Sequence, residues 1–90
     1  MRIRIATISA FLVSMSAIPS FAATQGEWNQ CNQTRNPDAS IAACTRIIQS
    51  GDTTRNRSIA YNDRGNAYQT KRDLDRAIAE YNESIRRDPK

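Results

Sequence analysis

The feature that most constrains the fold is a set of large and small residues at fixed spacing in the last third of the chain. Its members are Tyr61, Gly65, Tyr68, Ala77, Tyr81 and Pro89. On a helix the first three fall on one side, and the missing side chain of Gly65 lets a second helix come close. The set has the length of a two-helix repeat of about 34 residues. The spacing therefore predicts a helical hairpin over residues 58–90.

The second helix of this hairpin has its own signals. Asp73 is a good N-cap for it, and Pro89 ends it. Its apolar residues recur with the period of a helix and are expected to face the core. They are Leu74, Ala77, Ile78, Tyr81 and Ile85.

The pattern over 58–90 resembles the tetratricopeptide repeat, whose antiparallel helix pairs stack into an α-solenoid. Two positions depart from it. Arg64 stands where leucine is usual, so we expect its stem to cover the edge of the core and its head to lie in water. Lys71 and Arg72 occupy the turn where glycine is usual, which makes a left-handed residue more costly there.

A weaker copy of the pattern precedes the good one. Tyr68 and Tyr81 stand 37 positions after Cys31 and Cys44, so the cysteines take the places of the two tyrosines. We interpret 23–52 as a degenerate repeat of the same kind. The whole chain is then expected to be all-α, with about four short helices.

Other residues of this segment both support and weaken the match. Asn36 and Pro37 fall at a predicted helix start, where their residue types are favoured. Trp28 replaces the glycine, and the linker over about 51–57 is longer than usual. An accidental match of two helical hairpins is the alternative, because helical stripes align easily.

The copy implies that Cys31 and Cys44 face each other and form a disulfide. The alternative is a pair of small buried thiols, and the compartment decides between the two.

The N-terminus predicts export. Arg2 and Arg4 precede a mostly apolar run over 5–18, and a small-x-small cleavage pattern ends at Ala22. This is the pattern of a signal peptide over 1–22, which places the mature protein in the periplasm or outside the cell and favours the disulfide. A retained membrane anchor is the weaker alternative, because the run is interrupted and shorter than the ~20 residues that span a bilayer.

Cleavage after Ala22 leaves 68 of the 90 residues, which is enough for one small domain. It also removes two of the 13 basic residues, so that 11 remain against nine acidic ones, a net charge of +2. Basic and acidic residues alternate along the helices, which is typical of a solvated surface. We therefore expect no nucleic-acid partner and no stable membrane anchor, although Arg55, Arg57 and Arg64 could form a small basic patch.

Catalytic chemistry has little support in the sequence. It has no histidine and no glycine-rich phosphate loop, and no cluster has metal-ligand spacing. Twelve residues separate the cysteines, unlike the Cys-x-x-Cys of redox enzymes. We expect no enzyme, no cofactor and no metal.

The resemblance implies a protein interaction module, because the first helix of each repeat in that family lines a groove that binds a peptide or protein. The matching positions lie away from the tyrosine and glycine stripe, and asparagine amides there could hold a peptide backbone. The candidates are Ile59, Asn62, Asp63, Asn66 and Gln69, with Asn29 as the first-repeat counterpart of Asn66. Plain solvated helix surface is the alternative at these positions.

A different function is also open. The chain could be a truncated or N-terminal piece of a longer repeat array, with a structural role and no ligand of its own. Self-association through an exposed C-terminal hairpin is a further expectation of this kind.

Overall fold

A computed structural model describes residues 23–89, and the predicted signal peptide over 1–22 lies outside the described residues. The described part contains four helices and no strands, which confirms the all-α prediction. The helices are α1 (Gln25–Cys31), α2 (Pro37–Gln49), α3 (Thr54–Thr70) and α4 (Leu74–Arg87).

Local capping explains where the helices begin. Asn36 accepts a hydrogen bond from the Ala39 amide, with Pro37 as the first residue of α2. Asp73 caps α4 in the same way, so the starts of α2 and α4 are as predicted. The predicted linker over 51–57 was too long, because Thr53 accepts a hydrogen bond from the Asn56 amide and starts α3 earlier.

Two turns use left-handed backbone. Gly51, between α2 and α3, has φ 82°, and Arg72, between α3 and α4, has φ 66°. Glycine adopts this conformation without steric cost, whereas an arginine does not. The turn at Arg72 is therefore the costly one that the sequence indicated.

The helices pack in chain order: α1 on α2, α2 on α3 and α3 on α4, with a smaller contact between α1 and α3. A disulfide joins Cys31 to Cys44, with the Cα atoms 4.7 Å apart, as predicted. It forms part of a small core to which α3 contributes Ala60. The core residues are Cys31, Ala43, Cys44, Ile47 and Ala60, with Ala23, Trp28 and Ile48 packed against them.

The contact between α3 and α4 depends on small residues. A Cβ atom at Gly65 would lie 2.7 Å from Cε1 of Tyr81, so only glycine leaves room for the tyrosine ring. One turn from the end of the pair, Ser58 Oγ donates to the Ser84 carbonyl and Ser84 Oγ to the Ser58 carbonyl, both at 2.8 Å. The prediction of a close approach at Gly65 is confirmed, with the Tyr81 ring as its neighbour.

The prediction that the whole apolar stripe of α4 faces the core was wrong. Ala77 is buried, but Leu74, Ile78 and Ile85 are 53%, 57% and 60% exposed. Because α3 offers small residues to α4, the contact is made by Ala77, Tyr81 and the serine pair. The three aliphatic side chains lie beside that contact, on the surface.

The prediction that the head of Arg64 lies in water was also wrong. Its side chain is only 18% exposed. The guanidinium donates to both carboxylate oxygens of Glu80, at 2.5 and 3.0 Å, and to Thr45 Oγ1 at 2.9 Å. We call these three residues the Arg64 cluster; it joins α2, α3 and α4 where leucine would have supplied apolar packing.

Candidate partner-binding surface

Helix geometry brings the exposed residues of α3 and α4 to one side of the pair. The two helices run in opposite directions, because only residues 71–73 separate them, and Ser58 faces Ser84 across the contact. In antiparallel helices, the residues that follow such a facing pair turn toward the same side. We name this side the shared face; it carries Ile59, Asn62, Asn66, Gln69, Leu74, Ile78, Tyr81 and Ile85.

Two of the predicted amides are engaged within the hairpin. The Tyr81 hydroxyl lies 2.6 Å from Asn66 Oδ1 and 2.9 Å from Gln69 Oε1. A tyrosine hydroxyl has a single hydrogen to donate, so the two amide oxygens share it. Asn66 and Gln69 thereby orient the tyrosine ring over Gly65, which gives both amides a structural role.

Ile59, Asn62 and Gln69 are the exposed residues among the α3 candidates, and Ile59 is 43% exposed. Ile59 follows Ser58 and Ile85 follows Ser84, so the two isoleucines flank the same serine contact. Ile59 therefore places an exposed apolar side chain of α3 on the same side as the exposed aliphatic residues of α4.

Asp63 lies at the edge of the shared face, where α3 meets α1. It is half-buried, and its Oδ2 lies 3.9 Å from Cys31 Sγ. That sulfur belongs to the disulfide and has no hydrogen to donate. Burial raises the pKa of Asp63 to about 6, and no cation in the described part of the chain forms an ion pair with it.

Asn29 does not join the other candidates. It is exposed on α1 and accepts a hydrogen bond from Gln25 Nε2 at 3.0 Å. It stands two residues before buried Cys31, which places it almost on the opposite side of the helix. No described contact brings it to Asn66.

The other side of the α3 and α4 pair carries charge. The guanidiniums of Arg64 and Arg87 lie 5.3 and 4.9 Å from the centre of the Tyr61 ring. Glu83 accepts hydrogen bonds from Arg86 and Arg87, which lower its pKa to about 2. These charges satisfy one another, in contrast to Asp63.

The sequence reasoning missed the exposed aliphatic residues of α4 and the partner of Arg64. The sequence did contain a signal for the partner of Arg64, because an arginine at a core position requires an acid nearby. Glu80 lies one helix away, but periodicity alone places it on the polar side of α4. Buried Asp52, described below, had no sequence signal.

No group of three or more potential metal ligands occurs within residues 23–89. Over the same residues, no helix combines the length and the apolar composition that crossing a membrane requires.

Comparison of the chain with protein-family models, with curated proteins and with solved structures finds no match.

Proposed function

We propose that this chain is an exported protein interaction module that binds a protein or peptide partner through the shared face. The observation that carries the proposal is the row of aliphatic side chains on α4, each more than half exposed. Exposed apolar residues that cluster on one face mark interaction sites more often than isolated ones do. On α3, Asn62 lies on the same face and Asp63 lies at its edge, next to α1.

Asp63 supports a particular chemistry for the partner. Its carboxylate is partly desolvated and has no cation among its described neighbours, so ionisation costs more free energy than in an ordinary aspartate. A lysine or arginine of a partner would remove this penalty. We therefore propose a partner segment that presents apolar side chains to α4 and a basic side chain to Asp63.

The resemblance to tetratricopeptide repeats belongs to the same proposal. Helices that pack in chain order, α1 to α4, are compatible with a short α-solenoid. In such an arrangement α1 and α3 are the first helices of two repeats, and Asp63 of α3 lies next to α1.

Two neighbouring residues of α4 allow a matched test. Ile78 and Ala79 are both exposed, but only Ile78 lies on the shared face. The mature, oxidised chain is used to capture partners from its own envelope extract. We expect Ile78→Asn to reduce capture about fivefold or more, while Ala79→Asn captures as wild type does. Both variants should keep the stability of the wild type within about 0.5 kcal/mol, as exposed sites do.

Equal capture by Ile78→Asn and wild type at matched concentration would exclude the shared face as the binding site. In that case Ile59 and Asn62 would be solvated helix surface.

A second candidate function is favoured by the same aliphatic row. A second copy, or further repeats of a longer array, could cover Leu74, Ile78 and Ile85, and the role would then be structural. Sedimentation equilibrium tests the second copy. A dimer that forms with rising concentration and is lost in Ile78→Asn supports self-association, whereas a monomer at all concentrations excludes a second copy of this chain as the occupant.

A further inference from the structure

Asp52 is a buried acid at the junction of α2 and α3. It is 9% exposed. Its Oδ1 accepts hydrogen bonds from the Thr53 amide at 2.8 Å and from Asn56 Nδ2 at 3.0 Å. One carboxylate oxygen is therefore satisfied by the first turn of α3.

The second oxygen of Asp52 is not satisfied. Oδ2 is buried, and no described residue donates a hydrogen bond to it. An ionised oxygen in this position loses its water without replacement, which destabilises the fold. The charge of Arg57 acts on the carboxylate, but Arg57 forms no ion pair with it in the described part of the chain, and Arg57 Nε is itself buried without a hydrogen-bond partner. The buried oxygen thus has an open position for a donor.

Ala23 lies near this position. It packs against the core, and its backbone N–H is close enough to lower the pKa of Asp52 but does not form a hydrogen bond with Oδ2. Burial acts to raise the pKa of Asp52, but hydrogen bonds from Asn56 and Thr53, the nearby Ala23 N–H and the charge of Arg57 lower it overall. The carboxylate is therefore ionised at neutral pH.

Ala23 is also the residue that follows the predicted cleavage point. Hydrolysis by a signal peptidase adds water across the bond between Ala22 and Ala23. Ala22 leaves with the carboxyl group, and Ala23 keeps an amine that takes up a proton. A neutral group with one N–H thereby becomes a cation with three.

We propose that Asp52 is the binding site for the α-ammonium group that signal-peptide cleavage creates at Ala23. The new cation has donors for both carboxylate oxygens, including the buried Oδ2. Processing then completes an ion pair that ties the start of α1 to the junction of α2 and α3. The inference rests on the export part of the proposed function and not on partner binding.

The test uses the mature chain with a free amine at Ala23 and the same chain with that amine acetylated. NMR titration measures the pKa of the α-amino group. We expect it to lie about one unit or more above the ordinary value of about 7.7–8.0, because a carboxylate in contact favours the charged form. Asp52→Asn should return it to the ordinary value, and the control Asp38→Asn, in an exposed acid, should not.

Thermal unfolding supplies the second readout. A raised amine pKa means that the added stability is present below about pH 7.7 and is lost as the pH rises through the folded-state pKa. At pH 6.5 acetylation should lower Tm by roughly 5–11 °C, the shift that one pKa unit gives in a domain of this size. In the Asp52→Asn background acetylation should change Tm little.

An ordinary amine pKa in the wild type would overturn the proposal, and so would an equal effect of acetylation in both backgrounds. The pKa measurement on the wild type decides the matter even if Asp52→Asn does not fold. Intact mass of the exported protein tests the biological part: a chain that begins at Ala23 supports the proposal, and one that begins elsewhere overturns it. Failure of partner capture affects neither result, so the two proposals stand or fall separately.

Discussion

Asp63 and Glu83 carry the same functional group and titrate in opposite directions because their surroundings differ. Burial near α1 raises the pKa of Asp63 to about 6, whereas hydrogen bonds from Arg86 and Arg87 lower that of Glu83 to about 2. At neutral pH one carboxylate is satisfied within the hairpin and the other is not. The unsatisfied one lies beside the exposed apolar surface, which is why it is the stronger functional candidate.

The first prediction concerns Asp63→Asn. The folded-state pKa lies above the unfolded value of about 3.9, so the folded state holds the proton more tightly and loses stability as the pH rises from about 4 to 6. A shift of two pKa units corresponds to at most about 3 kcal/mol in the free energy of unfolding, and the partial exposure of Asp63 reduces this value. We expect Asp63→Asn to stabilise the chain by about 1–2 kcal/mol at pH 7 and to change little at pH 4.

Urea unfolding at the two pH values measures this effect. The same change in stability at pH 4 and pH 7 would mean that the carboxylate is not penalised by burial. If Asp63→Asn is more stable at pH 7 but captures the partner more weakly, then Asp63 lowers the stability of the chain and contributes to binding.

For the helices, the sequence predicted where each one begins better than it predicted how they pack against one another. Asn36, Pro37 and Asp73 begin their helices as predicted, because capping depends on a few neighbouring residues. The early start of α3 was missed because the repeat alignment set the boundary, although Thr53 is an equally good cap. The paired cysteines followed from the same alignment, which transferred the tyrosine positions to them.

The features of the candidate site that the sequence did not predict depend on the residues of a neighbouring helix. Exposure of Leu74, Ile78 and Ile85 follows from the small residues that α3 offers, which a stripe on α4 alone does not reveal. The pKa of Asp63 likewise depends on the position of α1. The sequence could place these residues on helices, but not the neighbours that determine their chemistry.

The second prediction tests the close approach of α3 and α4. Gly65→Ala adds a methyl group that would lie 2.7 Å from the Tyr81 ring, which Asn66 and Gln69 hold in place. Alanine is the better helix former by about 1 kcal/mol, but overpacking costs about 1–3 kcal/mol. We expect a net loss of stability in thermal unfolding, together with weaker hydrogen-exchange protection in α4.

Gly26→Ala is the matched control. Its new methyl group would have Thr24 Oγ1 at 3.8 Å as its neighbour, an ordinary contact distance. It should therefore leave stability unchanged or raise it slightly. Equal stabilisation by both substitutions would show that the Tyr81 ring moves aside at little cost.

At the scale of the whole molecule, two different kinds of contact hold the chain together. The disulfide and the small core join α1, α2 and the start of α3, where Ala60 contributes. The Arg64 cluster and the tyrosine contact at Gly65 join the rest of α3 to α4. Such a division predicts that the two ends of the molecule respond differently when one kind of contact is removed.

The last prediction uses this division. Cys31→Ser with Cys44→Ser opens a short loop, and the chain-entropy model gives a loss of about 3 kcal/mol for loops near this length. Helix α1 has seven residues, too few to be stable alone, so its amides should lose hydrogen-exchange protection first. The α2 amides and the start of α3 should follow, because they share the core with the cysteines, while α4 keeps partial protection through Gly65 and the Arg64 cluster. Wild type reduced with dithiothreitol should show the same order, which separates loss of the bond from the effect of buried serines. If α4 instead loses protection as fully as α1 does, the four helices unfold as one cooperative unit and the disulfide stabilises all of it.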